Sequence, residues 1–293
     1  MSNWTFTELD QSIAEELQEF LPDRIFDAHA HIFQQADLAL SGPSMLTDGP
    51  EVAGIDAWRE HQGKQLGQER LAGGLFIPLK TAPPIDDSND FVVAQLAAHP
   101  NSRGLVMVYP GYSQEKVAAY LENPQVAGFK CYHLFADQKP TWNAPIGSYL
   151  PEWAWKLADE RGLVITLHMV RDRAMADPEN QSEIREMCTR YPNARLILAH
   201  AARGFHAPNT VKGISSLRGL QNVWFDMSGI NESAPLSAIL QEFGPRKLMW
   251  GSDFPVSETR GKAVTIGDGF LWLDSKTVDW GEGQHGRPTL VGL

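Results

Sequence analysis

The chain has 293 residues, 43% of them hydrophobic and 21% charged, the balance of a globular protein with a large core rather than of a disordered one. Its 25 lysines and arginines against 36 aspartates and glutamates leave a formal charge of −11, which argues against nucleic acid or an anionic membrane as partner. Two cysteines, Cys131 and Cys188, give no disulfide framework and suit a reducing compartment.

The first residues show no basic start followed by an apolar run, so they do not read as a signal peptide. No stretch approaches a membrane span, and the chain reads as soluble and cytoplasmic. Ile13, Leu17 and Phe20 fall at helical spacing. Residues 25–31 then predict a strand that ends Asp27-Ala28-His29-Ala30-His31. Alternate side chains of a strand share a face, so His29 and His31 project together as half of a divalent metal site. A lone His-x-His pair is more often a surface or hydrogen-bonded feature, so the rest of the chain must supply the other half.

A loop-rich insertion is expected over 33–67, with Gly42-Pro43 and Gly49-Pro50 as turn signals. Beyond it, strands are predicted over 70–79, 104–109, 126–132, 163–168, 195–200, 223–226 and 247–251. Helices are predicted over 90–99, 114–122, 151–161, 179–191, 211–217 (weaker) and 236–243. The strands are near-continuous apolar runs, as in a parallel sheet buried on both faces. Eight such strands predict a (β/α)₈ barrel in a single domain over 1–293. A doubly wound open sheet is the alternative, weakened by the lack of a Gly-x-Gly-x-x-Gly turn after any early strand. The tail is Gly-rich, and Arg287-Pro288 resembles a helix start. The eighth outer helix is therefore expected to be short, displaced or missing.

Function in parallel barrels gathers at the C-terminal ends of the strands. There the apolar runs carry their polar exceptions: His29 and His31 on the first strand, Lys130 on the fourth, His168 on the fifth, His200 on the sixth and Asp253 after the eighth. Parity within each strand lets each set point into the barrel mouth. A satisfied core histidine could account for any one of them, but not readily for all of them at strand ends.

In order, Asp27-x-His29-x-His31, Gly128-Phe129-Lys130, Thr166-Leu167-His168, Leu198-Ala199-His200 and Gly251-Ser252-Asp253-Phe254-Pro255 resemble the motifs of the amidohydrolase superfamily. The likeness is to its amidohydrolase 2 branch, which holds aminocarboxymuconate-semialdehyde decarboxylase, related aromatic-acid decarboxylases, hydrolases and lactonases. The resemblance runs from about residue 24 to 256, and its motifs are specific as an ordered set. It implies a distorted barrel with one divalent metal, Zn²⁺ first and Mn²⁺ as the alternative, held by His29, His31, His168 and Asp253. It also implies His200 as a catalytic histidine beside the metal. In that reading Asp253 helps activate a metal-bound water, and His200 donates a proton to the leaving group or polarises the substrate.

Lys130 has two readings. In binuclear members of the superfamily a carboxylated lysine on the fourth strand bridges two metals, whereas in the resembled branch a Gly-Phe-Lys strand occurs without a second metal. A substrate-facing or hydrogen-bonding lysine is favoured here, and a pair with Asp27 is the structural reading. Arg171, Arg203 and Arg260 on mouth loops, with His206 nearby, suggest a carboxylate-bearing substrate. Tyr132, His133 and Trp142 could form an aromatic wall, Trp58 and His61 part of a lid, and Glu258 a support behind the ligands. The expected activity is metal-dependent hydrolysis of an amide, ester or lactone in a small molecule. Non-oxidative decarboxylation of an aromatic or unsaturated acid is the second reading, and a non-catalytic binding protein the third. A homodimer is compatible with the sequence.

Overall fold

Runs such as Leu-Val-Ile-Thr-Leu and Arg-Leu-Ile-Leu bury both faces when they become parallel strands, and that is where the chain places them. The computed structural model describes residues 4–38, 40, 44–274, 278 and 288–293. In chain order the strands are β1 (Ile25–Gln34), β2 (Val52–Ala53), β3 (Leu71–Pro78), β4 (Arg103–Met107), β5 (Val126–Cys131) and β6 (Val164–Leu167). They continue as β7 (Arg195–Leu198), β8 (Val223–Asp226), β9 (Leu248–Met249), β10 (Gly261–Ile266) and β11 (Gly269–Asp274). One sheet runs β2-β1-β3-β4-β5-β6-β7-β8-β9, parallel throughout except for the antiparallel β2.

The residues after β9 carry the sheet round to β1. Trp250 accepts from the Ala28 N–H (3.0 Å), Phe254 from the His31 N–H (2.7 Å), and His29 from the Asp253 N–H (2.8 Å), with a parallel bridge between Ala30 and Phe254. The result is the distorted (β/α)₈ barrel. Leu75, Ile77, Leu105 and Ile197, with Val164, Trp224 and Met249, pack as one cluster. Strands as far apart in the sheet as β3 and β7 can touch only across the barrel interior, so this apolar layer fills it. Among the described residues no helix is long and apolar enough to cross a membrane.

Between strands lie the helices Ile55–Leu66, Asp86–Leu96, Gln114–Tyr120, Glu152–Arg161, Pro178–Arg190, Ala207–Gly213 and Ser233–Phe243, preceded by Glu8–Leu17. Phe20, three residues beyond that first helix, is 82% exposed rather than part of its apolar face. Two expectations change. The insertion over 33–67 is not all loop, because Ile55–Leu66 is a helix of 12 residues; its buried Gln62 and Gln65 break the apolar period that would have revealed it. The segment after β9 forms the β10–β11 hairpin, with no helix beyond it among the described residues. Residues 275–277 and 279–287 of the Gly-rich tail, and the Gly42-Pro43 turn signal, lie outside the described residues.

Gly128 on β5 shows how closely the strands approach beneath the site. Its φ is +154°, and a Cβ there would stand 1.8 Å from the Val164 carbonyl oxygen of β6. Only glycine fits, and this contact sets the position of Lys130 two residues on. Gly128→Ala should therefore destabilise the fold by at least about 3 kcal/mol. A denaturant titration showing a loss under about 1 kcal/mol would contradict the close approach.

Candidate metal centre and active site

The seam between β1 and the segment after β9 brings three side chains together. His29 Nε2 lies 3.2 Å from His31 Nε2, and Asp253 Oδ1 stands 3.6 Å from the first and 3.4 Å from the second. The partners of the rings set where the protons sit. His29 Nδ1 is 3.0 Å from Asp226 Oδ2, and a carboxylate only accepts, so the proton is on Nδ1. The Tyr132 hydroxyl donates to the Pro78 carbonyl (2.9 Å) and so accepts from His31 Nδ1 (3.1 Å). Each ring thus presents its Nε2 to the other ring and to a carboxylate oxygen. Burial pushes the Asp253 carboxyl up, but the facing His200, His31 and His29 rings bring it down to about 2, while burial draws His31 down to about 4. At neutral pH Asp253 is ionised and His31 neutral.

Three buried acceptor atoms converging this closely repel one another unless a proton or a metal ion sits among them. Their spacing fits a metal ion. Ligands at about 2.0–2.2 Å in tetrahedral geometry stand about 3.3–3.6 Å apart, and the observed edges are 3.2, 3.4 and 3.6 Å. The carboxylate and hydroxyl behind the two rings orient them as outer partners of metal-bound histidines do.

His200 stands against this triangle. One donor atom each from His29, His200 and Asp253 lies within 4.8 Å of the others, and His200 Nδ1 is 3.9 Å from Asp253 Oδ2. Nδ1 is 3.0 Å from the Ser228 carbonyl, which only accepts, so Nδ1 carries the proton and Nε2 is the free position. Burial lowers the His200 pKa and keeps the ring neutral. His200 was expected on a strand, but β7 ends at Leu198 and His200–Arg203 form a left-handed turn with φ of 56°, 49°, 59° and 58°. Each such residue costs roughly 1–2 kcal/mol. The turn is held by the His200 N–H on Asp226 Oδ1 (3.0 Å), the Thr210 hydroxyl on the Ala201 carbonyl (2.9 Å) and burial of Ala201 and Ala202. Asp253 is also left-handed, at φ 53°.

Asp226 and Ser228 were not predicted as site residues. Asp226 takes the His29 ring on one oxygen and the His200 N–H, Ser228 N–H and Ser228 hydroxyl on the other. Burial pushes its carboxyl up, yet His29 and these donors hold it well below the usual carboxylate range. Its place at the end of an apolar strand was the signal that could have found it. Asp226→Asn removes the acceptor that fixes the His29 tautomer, so metal affinity should fall about 10- to 100-fold. Competition with a chromophoric chelator measures this; an unchanged affinity would remove Asp226 from the site.

The other expected residues divide. Half-buried His168 follows β6, its ring edge-on to His200 at 4.9 Å, but its Nε2 accepts from Arg203 Nη1 (3.3 Å), and it does not join the convergent donors. Lys130 is 1% exposed, its Nζ 5.2 Å from the centre of the Tyr132 ring. No described carboxylate pairs with it, and burial lowers its pKa. The alternative pair with Asp27 does not form, because Asp27 is filled by the His29 N–H, the Ser252 N–H and hydroxyl, and Trp58 Nε1.

Trp58 is accordingly a core residue and not a lid. His61 is buried against Glu258, which also takes Gln62 and Gln65, so neither His61 nor Glu258 backs the triangle. Arg171 is spent on Asp177 and Glu179, and Arg260 on Asp10 and the Thr5 and Pro288 carbonyls, which takes both out of substrate binding. Tyr132 is not a wall but the partner of His31. Trp142 is 61% exposed, and His133 meets Thr141.

A family model described as "Amidohydrolase" matches residues 26–276. A stretch of 116 residues is 30% identical to an L-fucono-1,5-lactonase of Burkholderia ambifaria, covering 34% of this chain and 40% of that protein's length. Among solved structures, an amidohydrolase from Burkholderia multivorans with bound zinc superposes at a TM-score of 0.56 and 18% identity, over 79% of this chain and 84% of that one. A 5-carboxyvanillate decarboxylase from Sphingomonas paucimobilis gives 0.52 and 16%, over 80% and 89%. At these identities the two structures speak to the fold alone.

Proposed function

The chain belongs to the amidohydrolase family, and from that membership we propose that it is a metal-dependent hydrolase that cleaves a lactone, ester or amide bond in a small molecule. The observation that carries the reading is the triangle of His29 Nε2, His31 Nε2 and Asp253 Oδ1, spaced as ligands of one tetrahedral ion. The partial likeness to a lactonase puts lactones first among substrates. His29, His31 and Asp253 would hold a divalent ion, Zn²⁺ or Mn²⁺, which would lower the pKa of a water and polarise a carbonyl oxygen.

The chain's own groups do the rest. Asp253 Oδ2, the oxygen outside the triangle, takes the proton of the attacking water. Neutral His200, its Nδ1 tied to Ser228, has Nε2 free to take up the proton that Asp253 accepts from the water and to hand that same proton to the leaving oxygen or nitrogen. Lys130 offers its Nζ to a substrate oxygen. Of the three arginines first assigned to a carboxylate, Arg203 alone remains beside the site, so a substrate carboxylate is not a requirement of this geometry.

Decarboxylation is the second reading, favoured by one feature: a buried, unpaired Lys130 that a substrate carboxylate could meet. Metal-loaded protein given lactones and aromatic acids, with acid release and CO₂ scored separately, decides between them. Ring opening without CO₂ supports hydrolysis; CO₂ without ring opening replaces it. Full activity in protein stripped of metal would refute both.

A further inference from the structure

A second feature of the mouth lies beyond the triangle. Every other described histidine has a polar partner: His29 Asp226, His31 Tyr132, His61 Glu258, His99 Asp56, His133 Thr141, His168 Arg203 and His200 Ser228. His206 has none. It is 7% exposed, and both its ring nitrogens are buried without a hydrogen bond. Buried polar groups are ordinarily satisfied, and two orphaned atoms on one ring mark a place where a partner arrives from outside.

His206 lines a cavity of about 320 Å³, the lower end of the size range for small-molecule sites. Asn209 and Arg203 share its inner wall, Phe270 of the β10–β11 hairpin lines it too, and the exposed Asp172 and Asp268 stand at its rim. The cavity adjoins the candidate catalytic groups. Arg203 reaches His168 Nε2 and the Met169 carbonyl, and Phe205, next in chain to His206, packs on the His200 ring at 5.0 Å and on Phe270 at 5.2 Å.

The lining chooses the ligand. Two rim carboxylates disfavour an anion, and the guanidinium of Arg203 disfavours a cation. The remaining groups offer donors and acceptors together. Neutral imidazole has one of each, and Asn209, which donates through Nδ2 to the Asp172 carbonyl (3.2 Å), keeps its Oδ1 to accept. A hydroxyl is the uncharged group that both donates and accepts. We propose that His206 and Asn209 form a subsite for an uncharged, hydroxyl-bearing part of the substrate, with His206 donating from one ring nitrogen and accepting at the other. The proposal rests on the hydrolase reading for its effect on turnover, and not for binding.

Two measurements test it and keep the two readings apart. For turnover, metal-loaded wild type, His206→Phe and His206→Gln are compared on glucono-1,5-lactone and on δ-valerolactone, which has the same ring without hydroxyls. In the Phe variant the ratio of kcat/KM for the hydroxylated over the bare lactone should fall about 10- to 100-fold, with Gln recovering part of it. An unchanged ratio overturns the subsite, as does an equal loss on both lactones in variants that melt like wild type.

For binding, D-glucitol, which has no bond to hydrolyse, is titrated while the ring ¹⁵N signals of His206 are followed, with malonate in parallel. Movement with glucitol and not malonate supports the subsite even if no lactone is opened, in which case the hydrolase reading alone fails. Movement with malonate alone, or with neither, overturns the subsite.

Discussion

Asp253→Asn should lower kcat/KM at least about 10³-fold and weaken metal binding, while leaving the melting temperature near that of wild type. The change is chosen for the backbone. Asp253 sits at φ 53°, a left-handed conformation that asparagine tolerates better than almost any other residue with a side chain. Its N–H bond to the His29 carbonyl, which closes the barrel seam, survives the substitution. What goes is the negative charge between His29 and His31 and the oxygen that accepts the water's proton. Two ring nitrogens 3.2 Å apart then face a neutral amide, so an ion among them is held less tightly. Steady-state kinetics, metal content after dialysis and a thermal melt together check the claim. A folded variant keeping a tenth of wild-type activity would show that Asp253 is neither base nor principal ligand.

Strand parity made His29, His31 and Lys130 legible in the sequence, because an alternating backbone fixes which side chains share a face, whereas Asp253 lies beyond β9 in a left-handed conformation that parity does not describe. The same rule named His200 for the wrong local reason. His200 reaches the mouth from a left-handed turn, and nothing in Leu-Ala-His-Ala-Ala-Arg announces four consecutive residues at positive φ. The arginines failed differently. Arg171 meets Asp177 and Glu179 a few residues on, and Arg260 meets Asp10 at the far end of the chain. A guanidinium on a mouth loop looks the same in sequence whether its carboxylate belongs to a substrate or to the protein. Asp226 was readable as a polar strand end but not as the group behind both His29 and His200, which depends on β8 lying beside β7 and β9. Trp58 reads in sequence as part of a lid within a loop-rich insertion, yet its indole N–H on Asp27 fixes it in the core.

His200→Asn should cut kcat about 10²- to 10⁴-fold with bound metal still stoichiometric. Asparagine again suits the left-handed φ, here 56°, so the turn carrying Arg203 is kept. The backbone N–H still reaches Asp226, and His29, His31 and Asp253 retain their triangle. The loss is Nε2, the position left free when Nδ1 bonds the Ser228 carbonyl. His168→Asn provides the contrast, since the motif resemblance makes His168 a ligand while its Nε2 here accepts from Arg203. If His200 moves protons and His168 completes the metal set once Arg203 yields its nitrogen, the His200 variant keeps metal and loses rate, and the His168 variant loses both. The reverse pattern, with metal lost from the His200 variant and kept in the His168 variant, would make His200 the ligand beside His29 and Asp253. Arg203 would then be what holds His168 off the ion, and proton transfer would fall to Asp253 alone.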